Sequence, residues 1–117
     1  MLILKFLNSL KYALSGLRQI FIEEQNFQIH SFCAVVVVLV SIYKFHFTYI
    51  ELAITFICIS LVFVTEIVNT AIENTWDHLE PNHHPVVKSV KDMMAGAVVV
   101  VSLFSAIVWI LLIANRY

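Results

Sequence analysis

The chain contains very little glycine, proline, cysteine and charge. Of its 117 residues, two are glycine, two are proline, two are cysteine and 13% are charged. The sequence has no GxxxxGK or GxGxxG loop to cradle phosphate, no Gly-x-Ser-x-Gly elbow and no protein-kinase motif set. Cys33 and Cys58 lie in apolar runs without CxxC spacing, which favours two small buried side chains over a redox motif. The familiar motifs of soluble kinases and hydrolases are therefore excluded.

Apolar residues dominate what is present. They make up 61% of the chain, against about 45–50% in soluble domains. A single domain of this size, spanning 1–117, cannot hide so much apolar surface in its own core, so we expect lipid to be its solvent. The net charge of −1 and the absence of a basic block argue against nucleic-acid binding. The N-terminus has dispersed cations and no small-residue cleavage site, so no cleavable signal peptide is expected.

The apolar pattern predicts an all-α membrane protein. Residues 2–22 have helical spacing with one polar stripe, which is typical of an amphipathic helix lying in the membrane interface. A membrane-crossing helix needs about 20 apolar residues. Three segments meet this requirement, at about 28–46, 49–72 and 93–114. No internal repeat or second domain is evident.

The distribution of Lys and Arg predicts the orientation in the membrane. With three spans, the N-terminal segment and the loop 78–92 lie on one side of the membrane. That side carries five cations and the opposite side carries two, Lys44 and Arg116. The five are Lys5, Lys11, Arg18, Lys88 and Lys91. The positive-inside rule therefore places the N-terminus and the loop 78–92 in the cytoplasm.

Polar side chains recur along one side of the second span. At about 100° per residue, Glu66, Asn69, Thr70, Glu73 and Asp77 fall on one face of a helix, where an apolar run ends. Ionisable groups at this depth are costly unless they are paired. This face is therefore the candidate functional site.

Further charged residues map to the same end of the predicted bundle. Glu24 precedes the first span, and Lys91 and Asp92 open the third. Oxygen ligands from separate helices with a lysine nearby suit Mg²⁺, which is commonly held by one or two carboxylates together with substrate phosphates. Phosphoryl transfer needs positioning, a metal, a cation on the phosphates and a group that orients or deprotonates the acceptor.

Other interpretations of these residues remain open. Glu66 or Glu73 could form a structural ion pair with Lys91, and Asp92 could simply favour the start of a helix. The loop histidines His78, His83 and His84 could bind zinc, although histidines in a polar loop are more often solvated. The chain could also be a non-catalytic membrane subunit, or an ion or proton pathway, because buried acids also mark those.

The motifs resemble one family over nearly the whole chain. The pattern Glu66-Ile-Val-Asn-Thr-Ala-Ile-Glu73-x-x-x-Asp77, followed by Lys91-Asp92-x-x-Ala-Gly-Ala, resembles the small bacterial integral-membrane lipid kinases. These are the diacylglycerol kinase and undecaprenol kinase family. The resemblance implies an ATP-dependent enzyme of the bacterial cytoplasmic (inner) membrane. It also implies a homotrimer with sites shared between neighbouring subunits.

The resemblance also implies roles for individual residues. Glu66 matches the base that takes the proton of the lipid hydroxyl, and Asn69 matches a polar residue beside it. Glu24 and Glu73 match the carboxylates that bind the Mg²⁺ accompanying ATP. Trp109 matches a lipid-facing position. The expected ATP contacts are Tyr12, Glu24, Glu73, Asp77, His83, His84, Lys91 and Asp92. Lys91 is expected to contact the phosphates.

The resemblance indicates undecaprenol as the acceptor, with diacylglycerol as the alternative. The diacylglycerol kinase branch is expected to carry an acidic residue where this chain has His30. The Asn-Phe-x-x-His run that ends at His30, together with the pair His84-Pro85, is more similar to the undecaprenol kinase branch.

Overall fold

The computed structural model describes residues 1–82 and 84–117, and over these residues the chain forms four helices. They are α1 (Leu2–Glu23), α2 (Gln25–Tyr43), α3 (Tyr49–Leu79) and α4 (Pro85–Ala114). By length and composition, α2, α3 and α4 are each able to cross a membrane. The prediction of an all-α chain with an N-terminal helix and three membrane-crossing helices is confirmed.

Two of the helices extend beyond the apolar stretches that predict the spans. α3 continues past residue 72 to Leu79, and α4 begins at Pro85 rather than at 93. The 31 residues of α3 measure about 46 Å, whereas the hydrocarbon core of a bilayer is about 30 Å thick. Part of α3 therefore lies outside the hydrocarbon region, and its polar end continues the helix into the headgroups and water.

Local sequence signals mark the positions where α3 and α4 begin. Before α3, the Thr48 hydroxyl accepts a hydrogen bond from the Glu51 N–H at 3.3 Å, and Glu51 Oε1 accepts one from the Thr48 N–H at 2.8 Å. This capping box satisfies two backbone donors at the helix start. Before α4, His84 Nδ1 accepts a hydrogen bond from the Val86 N–H at 3.2 Å, and Pro85 occupies the first helical position. Proline suits that position because its fixed φ is helical and no donor is needed there.

α3 is the central helix of the bundle. It packs most extensively against α4 and also against α2, while α1 packs against α2. Phe27 of α2 connects three of the helices, because its ring lies 6.4 Å from Phe21 of α1 and 5.2 Å from Phe63 of α3. Trp109 of α4 donates its indole N–H to Ser41 Oγ of α2 at 2.8 Å.

Few side chains of the described residues are buried, several of these are polar, and much of the surface is apolar. Among the described residues, the buried polar side chains are those of Ser41, Thr55, Glu66, Asn69 and Thr70. Large apolar side chains are exposed along all four helices. This pattern is the reverse of that in a soluble domain, and it fits a bundle whose apolar faces contact lipid.

The chain end is fixed to the α2–α3 turn. Arg116 donates to Glu51 Oε1 at 2.6 Å and to the His46 carbonyl at 2.9 Å, and its guanidinium lies 5.5 Å from the centre of the Phe47 ring. His46 has a φ of 51°, in the left-handed region, where the chain reverses between the two helices. These contacts close the end of the bundle opposite the polar face of α3.

Candidate active site

The polar face of α3 passes from a buried to an exposed environment along the helix. Glu66, Asn69 and Thr70 are 2%, 6% and 6% exposed. Glu73 is half-buried, and Asp77 is exposed. At 1.5 Å per residue, Glu66 and Asp77 are about 16 Å apart along the helix axis. One helix face therefore joins a carboxylate in the bundle interior to a carboxylate at the water-accessible end.

Glu66 meets a histidine from the neighbouring helix. His30 Nε2 of α2 lies 3.8 Å from Glu66 Oε2, with 26% of the His30 side chain and 3% of the Glu66 side chain exposed. The carboxylates of Glu24 and Glu73 also lie near enough to act electrostatically on Glu66. Glu24, before α2, and Glu73, about 10 Å further along α3, therefore carry charge at the same end of the bundle as Glu66 and His30.

Asn69 contributes a buried oxygen without a donor. Its Oδ1 is inaccessible and accepts no hydrogen bond from the described part of the chain. Most buried polar atoms in folded proteins are paired, so such an atom requires a specific explanation. An acceptor beside Glu66 is suited to a hydroxyl or N–H donor of a substrate, or to a cation.

Lys91 is paired with Asp77. Its ammonium group contacts Asp77 Oδ1 and joins the start of α4 to the polar face of α3. Lys88 Nζ contacts Asp92 Oδ2 at 2.7 Å on the exposed side of α4. In the described structure Lys91 therefore pairs with Asp77 rather than with Glu66 or Glu73, unlike the structural ion pair of the alternative interpretation. Lys91 lies at the exposed end of the polar face, where phosphates from water would arrive.

Two cavities lie on different sides of α3 and are lined by neighbours of Glu66, although not by Glu66 itself. The first, about 350 Å³, lies between α2, α3 and α4 and has an almost entirely apolar lining, with His30 and Phe63 near the level of Glu66 and Trp109 deeper in the bundle. The second, about 470 Å³, lies between α1 and α3, and its lining includes Tyr12, Glu24 and Thr70. The first cavity is suited to a hydrocarbon chain, whereas the second combines an apolar lining with the polar groups of Tyr12, Glu24 and Thr70.

The donor set fits a magnesium ion held jointly with phosphates. Among the described residues, no three histidine, cysteine, aspartate or glutamate side chains are close enough to form a metal site by themselves. Mg²⁺ needs no such protein cage, because one or two carboxylates with substrate phosphates suffice. Glu24, Glu73 and the donor-free Asn69 Oδ1 are oxygen ligands of this kind.

The structure brings most of the predicted site residues to one end of the bundle. Glu24, Glu66, Asn69 and Glu73 are grouped around α3, and Lys91 joins them through Asp77. The remaining predicted residues occupy other positions. Tyr12 lines the α1–α3 cavity, His84 caps α4, Asp92 pairs with Lys88, and Trp109 lies in the apolar cavity. His83 lies outside the described residues, and His78 and His84 belong to no metal cluster within them.

Sequence reasoning missed the contact between His30 and Glu66. From the sequence, His30 served only to distinguish undecaprenol from diacylglycerol as the acceptor. One signal was present, because an ionisable side chain inside an apolar span is costly and implies a partner. The partner itself was not readable from spacing, since the two residues lie on different helices.

Comparisons with known proteins agree on one family. The model of the prokaryotic diacylglycerol kinase family matches residues 11–113. Undecaprenol kinase of Bacillus subtilis is 37% identical over 108 residues, which cover 92% of this chain and 87% of the relative. Diacylglycerol kinase of Synechocystis is 33% identical over 86% of this chain and 57% of the relative. Diacylglycerol kinase of Haemophilus influenzae is 28% identical over 88% of this chain and 86% of the relative.

Proposed function

The chain belongs to the prokaryotic diacylglycerol kinase family and is a lipid kinase, and we propose that it transfers the γ-phosphate of ATP to undecaprenol. The observation that carries this proposal is the position of Glu66. Its buried carboxylate contacts His30, which lines the apolar cavity, and lies about one helical turn from Thr70, which lines the α1–α3 cavity. A lipid hydroxyl and a nucleotide can therefore approach the same carboxylate from opposite directions.

In the proposed reaction, Glu66 takes the proton of the lipid hydroxyl as that oxygen attacks the γ-phosphorus. The new oxygen–phosphorus bond forms in line with the bond to the leaving ADP, so no covalent enzyme intermediate is required. Asn69 Oδ1 accepts a hydrogen bond that orients the acceptor or the hydrated cation. Lys91 exchanges Asp77 for phosphate oxygens when the nucleotide binds.

Glu24 and Glu73 would hold the magnesium ion that accompanies ATP. When bound, Mg²⁺ neutralises charge on the phosphates during transfer. Both carboxylates lie near Glu66, and Glu24 also lines the α1–α3 cavity with Tyr12. Nucleotide binding in that cavity would bring the γ-phosphate toward the buried base.

The apolar cavity supports a long-chain alcohol as the acceptor. Its volume of about 350 Å³ lies near the lower end of the range for small-molecule pockets, about 300–1,000 Å³. It accommodates only the part of the chain next to the hydroxyl, so the remainder would stay in the bilayer. The undecaprenol kinase relative favours undecaprenol. The two diacylglycerol kinase relatives make diacylglycerol the alternative acceptor.

Orientation and assembly complete the proposal. ATP is cytosolic, so the end of the bundle that carries Glu73, Asp77 and Lys91 should face the cytoplasm of a bacterial inner membrane. The excess of Lys and Arg on that side supports the same orientation. We propose homotrimers with sites shared between neighbouring subunits, as the family resemblance implies, and the cavities that are open in the single chain support a neighbouring subunit as their cover.

The test is phosphate transfer by the purified chain in lipid vesicles. Radiolabelled ATP, Mg²⁺ and equal amounts of undecaprenol or diacylglycerol are supplied, and labelled lipid is separated by chromatography. Glu66→Gln should lower kcat at least about a hundredfold, because the amide cannot take the proton. Glu80→Gln, an exposed acid on the same side of the chain, is the matched control and should retain wild-type turnover.

Three results would contradict the proposal. Wild-type turnover by Glu66→Gln would remove the assigned base. Faster phosphorylation of diacylglycerol than of undecaprenol would replace the proposed acceptor with the alternative one. Ion conductance without lipid phosphorylation would overturn the reaction itself.

A further inference from the structure

Burial of Glu66 creates a requirement that the proposed transfer does not itself meet. With 3% of its side chain exposed, Glu66 has almost no contact with water through which to lose a proton. A base that has taken a proton from the acceptor must release it before the next turnover. A second group is therefore needed between Glu66 and solvent.

We propose that His30 accepts this proton from Glu66 and passes it to water, as a positioning residue that restores the base in each cycle. The inference rests on the proposed function, because it needs Glu66 to act on a lipid hydroxyl. His30 Nε2 lies 3.8 Å from Glu66 Oε2, and 26% of the His30 side chain is exposed. In this pair the Glu66 side chain is shielded from solvent, whereas the His30 side chain is partly exposed to it.

The surroundings of the pair favour His30 over other proton acceptors. Glu24 and Glu73 act on Glu66 through their charge, but the Glu66 contact within ion-pair distance in the described structure is with His30. The other ionisable side chains on the cavity lining are the thiols of Cys33 of α2 and Cys58 of α3. The part of the lining that α4 contributes carries no charged side chain among the described residues. Imidazole is also the side chain that exchanges protons near neutral pH.

The position of His30 along α2 suits a route to solvent. It lies five residues after Gln25, where α2 begins, so it is about 8 Å from that end of the helix. Its contact of 3.8 Å with Glu66 exceeds hydrogen-bond length, which is about 2.7–3.2 Å. A small side-chain shift or one bridging water closes this gap, and such distances commonly shorten when substrates bind.

The proton is accounted for at each stage. The acceptor O–H bond breaks and its proton moves to a Glu66 oxygen, while the acceptor oxygen bonds to phosphorus and ADP leaves with the former bridging oxygen. The proton then passes from Glu66 to His30 Nε2, and the opposite ring nitrogen releases a proton to water. Glu66 returns to the carboxylate and His30 to the neutral imidazole, with no oxidation or reduction.

Chemical rescue distinguishes a proton-transfer role from a structural one. The experiment measures kcat and KM for both substrates with wild type, His30→Ala and His30→Gln in vesicles, with and without added imidazole. His30→Ala should lower kcat at least about tenfold with little change in either KM, and imidazole should restore part of that kcat. His30→Gln should show the same loss without rescue, because its side chain fills the space. His46→Asn is the matched control at the opposite end of the bundle, and asparagine tolerates the left-handed backbone there.

The possible outcomes separate the two proposals. Wild-type kcat in both His30 variants would overturn the proton route, as would a loss that imidazole fails to restore in a folded His30→Ala protein. Should His30→Ala fail to fold, a kcat in His30→Gln within twofold of wild type would also overturn it. Wild-type turnover by Glu66→Gln would instead overturn the proposed function. Imidazole should leave Glu66→Gln inactive, because the missing group in that variant is the base itself.

Discussion

Trp109 and Ser41 form a hydrogen bond that joins α4 to α2, and its removal tests how the three long helices are packed. The indole N–H donates to Ser41 Oγ at 2.8 Å, and the same hydroxyl donates to the Val37 carbonyl at 2.7 Å. Ser41 is 0% exposed. Trp109→Phe would remove the donor and some ring volume, while the bond from Ser41 to Val37 would remain.

The expected cost follows from these contacts. A buried neutral hydrogen bond contributes about 0.5–1.5 kcal/mol, and the lost ring volume adds a packing term, so Trp109→Phe should destabilise the fold by about 1–2 kcal/mol. Ser41→Ala should cost about 1 kcal/mol. Each single variant already breaks the Trp109–Ser41 hydrogen bond, so the double variant loses nothing more from that bond. The coupling energy should therefore be about 0.6–1 kcal/mol, the range of hydrogen bonds between membrane helices.

These free energies are measured by unfolding the protein in mixed micelles with increasing concentrations of a denaturing detergent. Far-ultraviolet circular dichroism is the suitable signal, because fluorescence would change with the substitution of one of the two tryptophans. The matched control combines Trp109→Phe with Ser60→Ala. The Ser60 hydroxyl donates only to the local Ile57 carbonyl, at 2.8 Å, so no coupling is expected. Coupling below about 0.3 kcal/mol in the Trp109–Ser41 cycle would refute the packing of α4 on α2.

Two further predictions concern the opposite ends of the bundle. Glu73→Gln should raise the Mg²⁺ concentration needed for half-maximal turnover at least about tenfold, because a carboxylate ligand is lost. Glu80→Gln is the control. A Mg²⁺ titration of Glu73→Gln that matches wild type would contradict the metal role of Glu73. Arg116→Gln should lower the free energy of unfolding while leaving KM for ATP unchanged, because Arg116 fixes the chain end to Glu51 and the His46 carbonyl, away from the site. Unchanged unfolding in the same micelle titration would show that these contacts do not stabilise the bundle.

The helices and the polar face of α3 were predictable because each depends on one local stretch of chain. Apolar runs of sufficient length indicate the spans, and the helical repeat alone groups Glu66, Asn69 and Glu73. Thr48 and Glu51 also have the spacing of a capping box, although the sequence analysis did not use that signal. Such features need no knowledge of which helix lies beside which.

Contacts between helices were not predictable in the same way. Beyond Asp92, α4 has no charged residue, so its sequence gives little indication of which face turns toward α2 and α3. In lipid, helices associate through close packing and hydrogen bonds rather than through an apolar stripe. The inward orientation of Trp109 illustrates this. The family resemblance matches Trp109 to a lipid-facing position, whereas its indole N–H donates to Ser41 of α2.

The buried polar groups of the described residues divide into satisfied and unsatisfied ones, and the unsatisfied atoms are Asn69 Oδ1 and, on the apolar cavity, Ser102 Oγ. Ser41 and Thr55 are satisfied, because each hydroxyl donates to a carbonyl of its own helix, at 2.7 Å and 2.9 Å. Glu66 and Asn69 differ, since Asn69 Oδ1 has no donor within the described residues and the nearest ion-pair contact of Glu66 is 3.8 Å long. An unmet buried acceptor costs about 1–3 kcal/mol, and more for a charged group. A fold selected only for stability would replace such groups with apolar ones of similar shape. In the proposed reaction a substrate would supply the missing donors, so that the binding energy of the acceptor would offset a cost that the free protein carries.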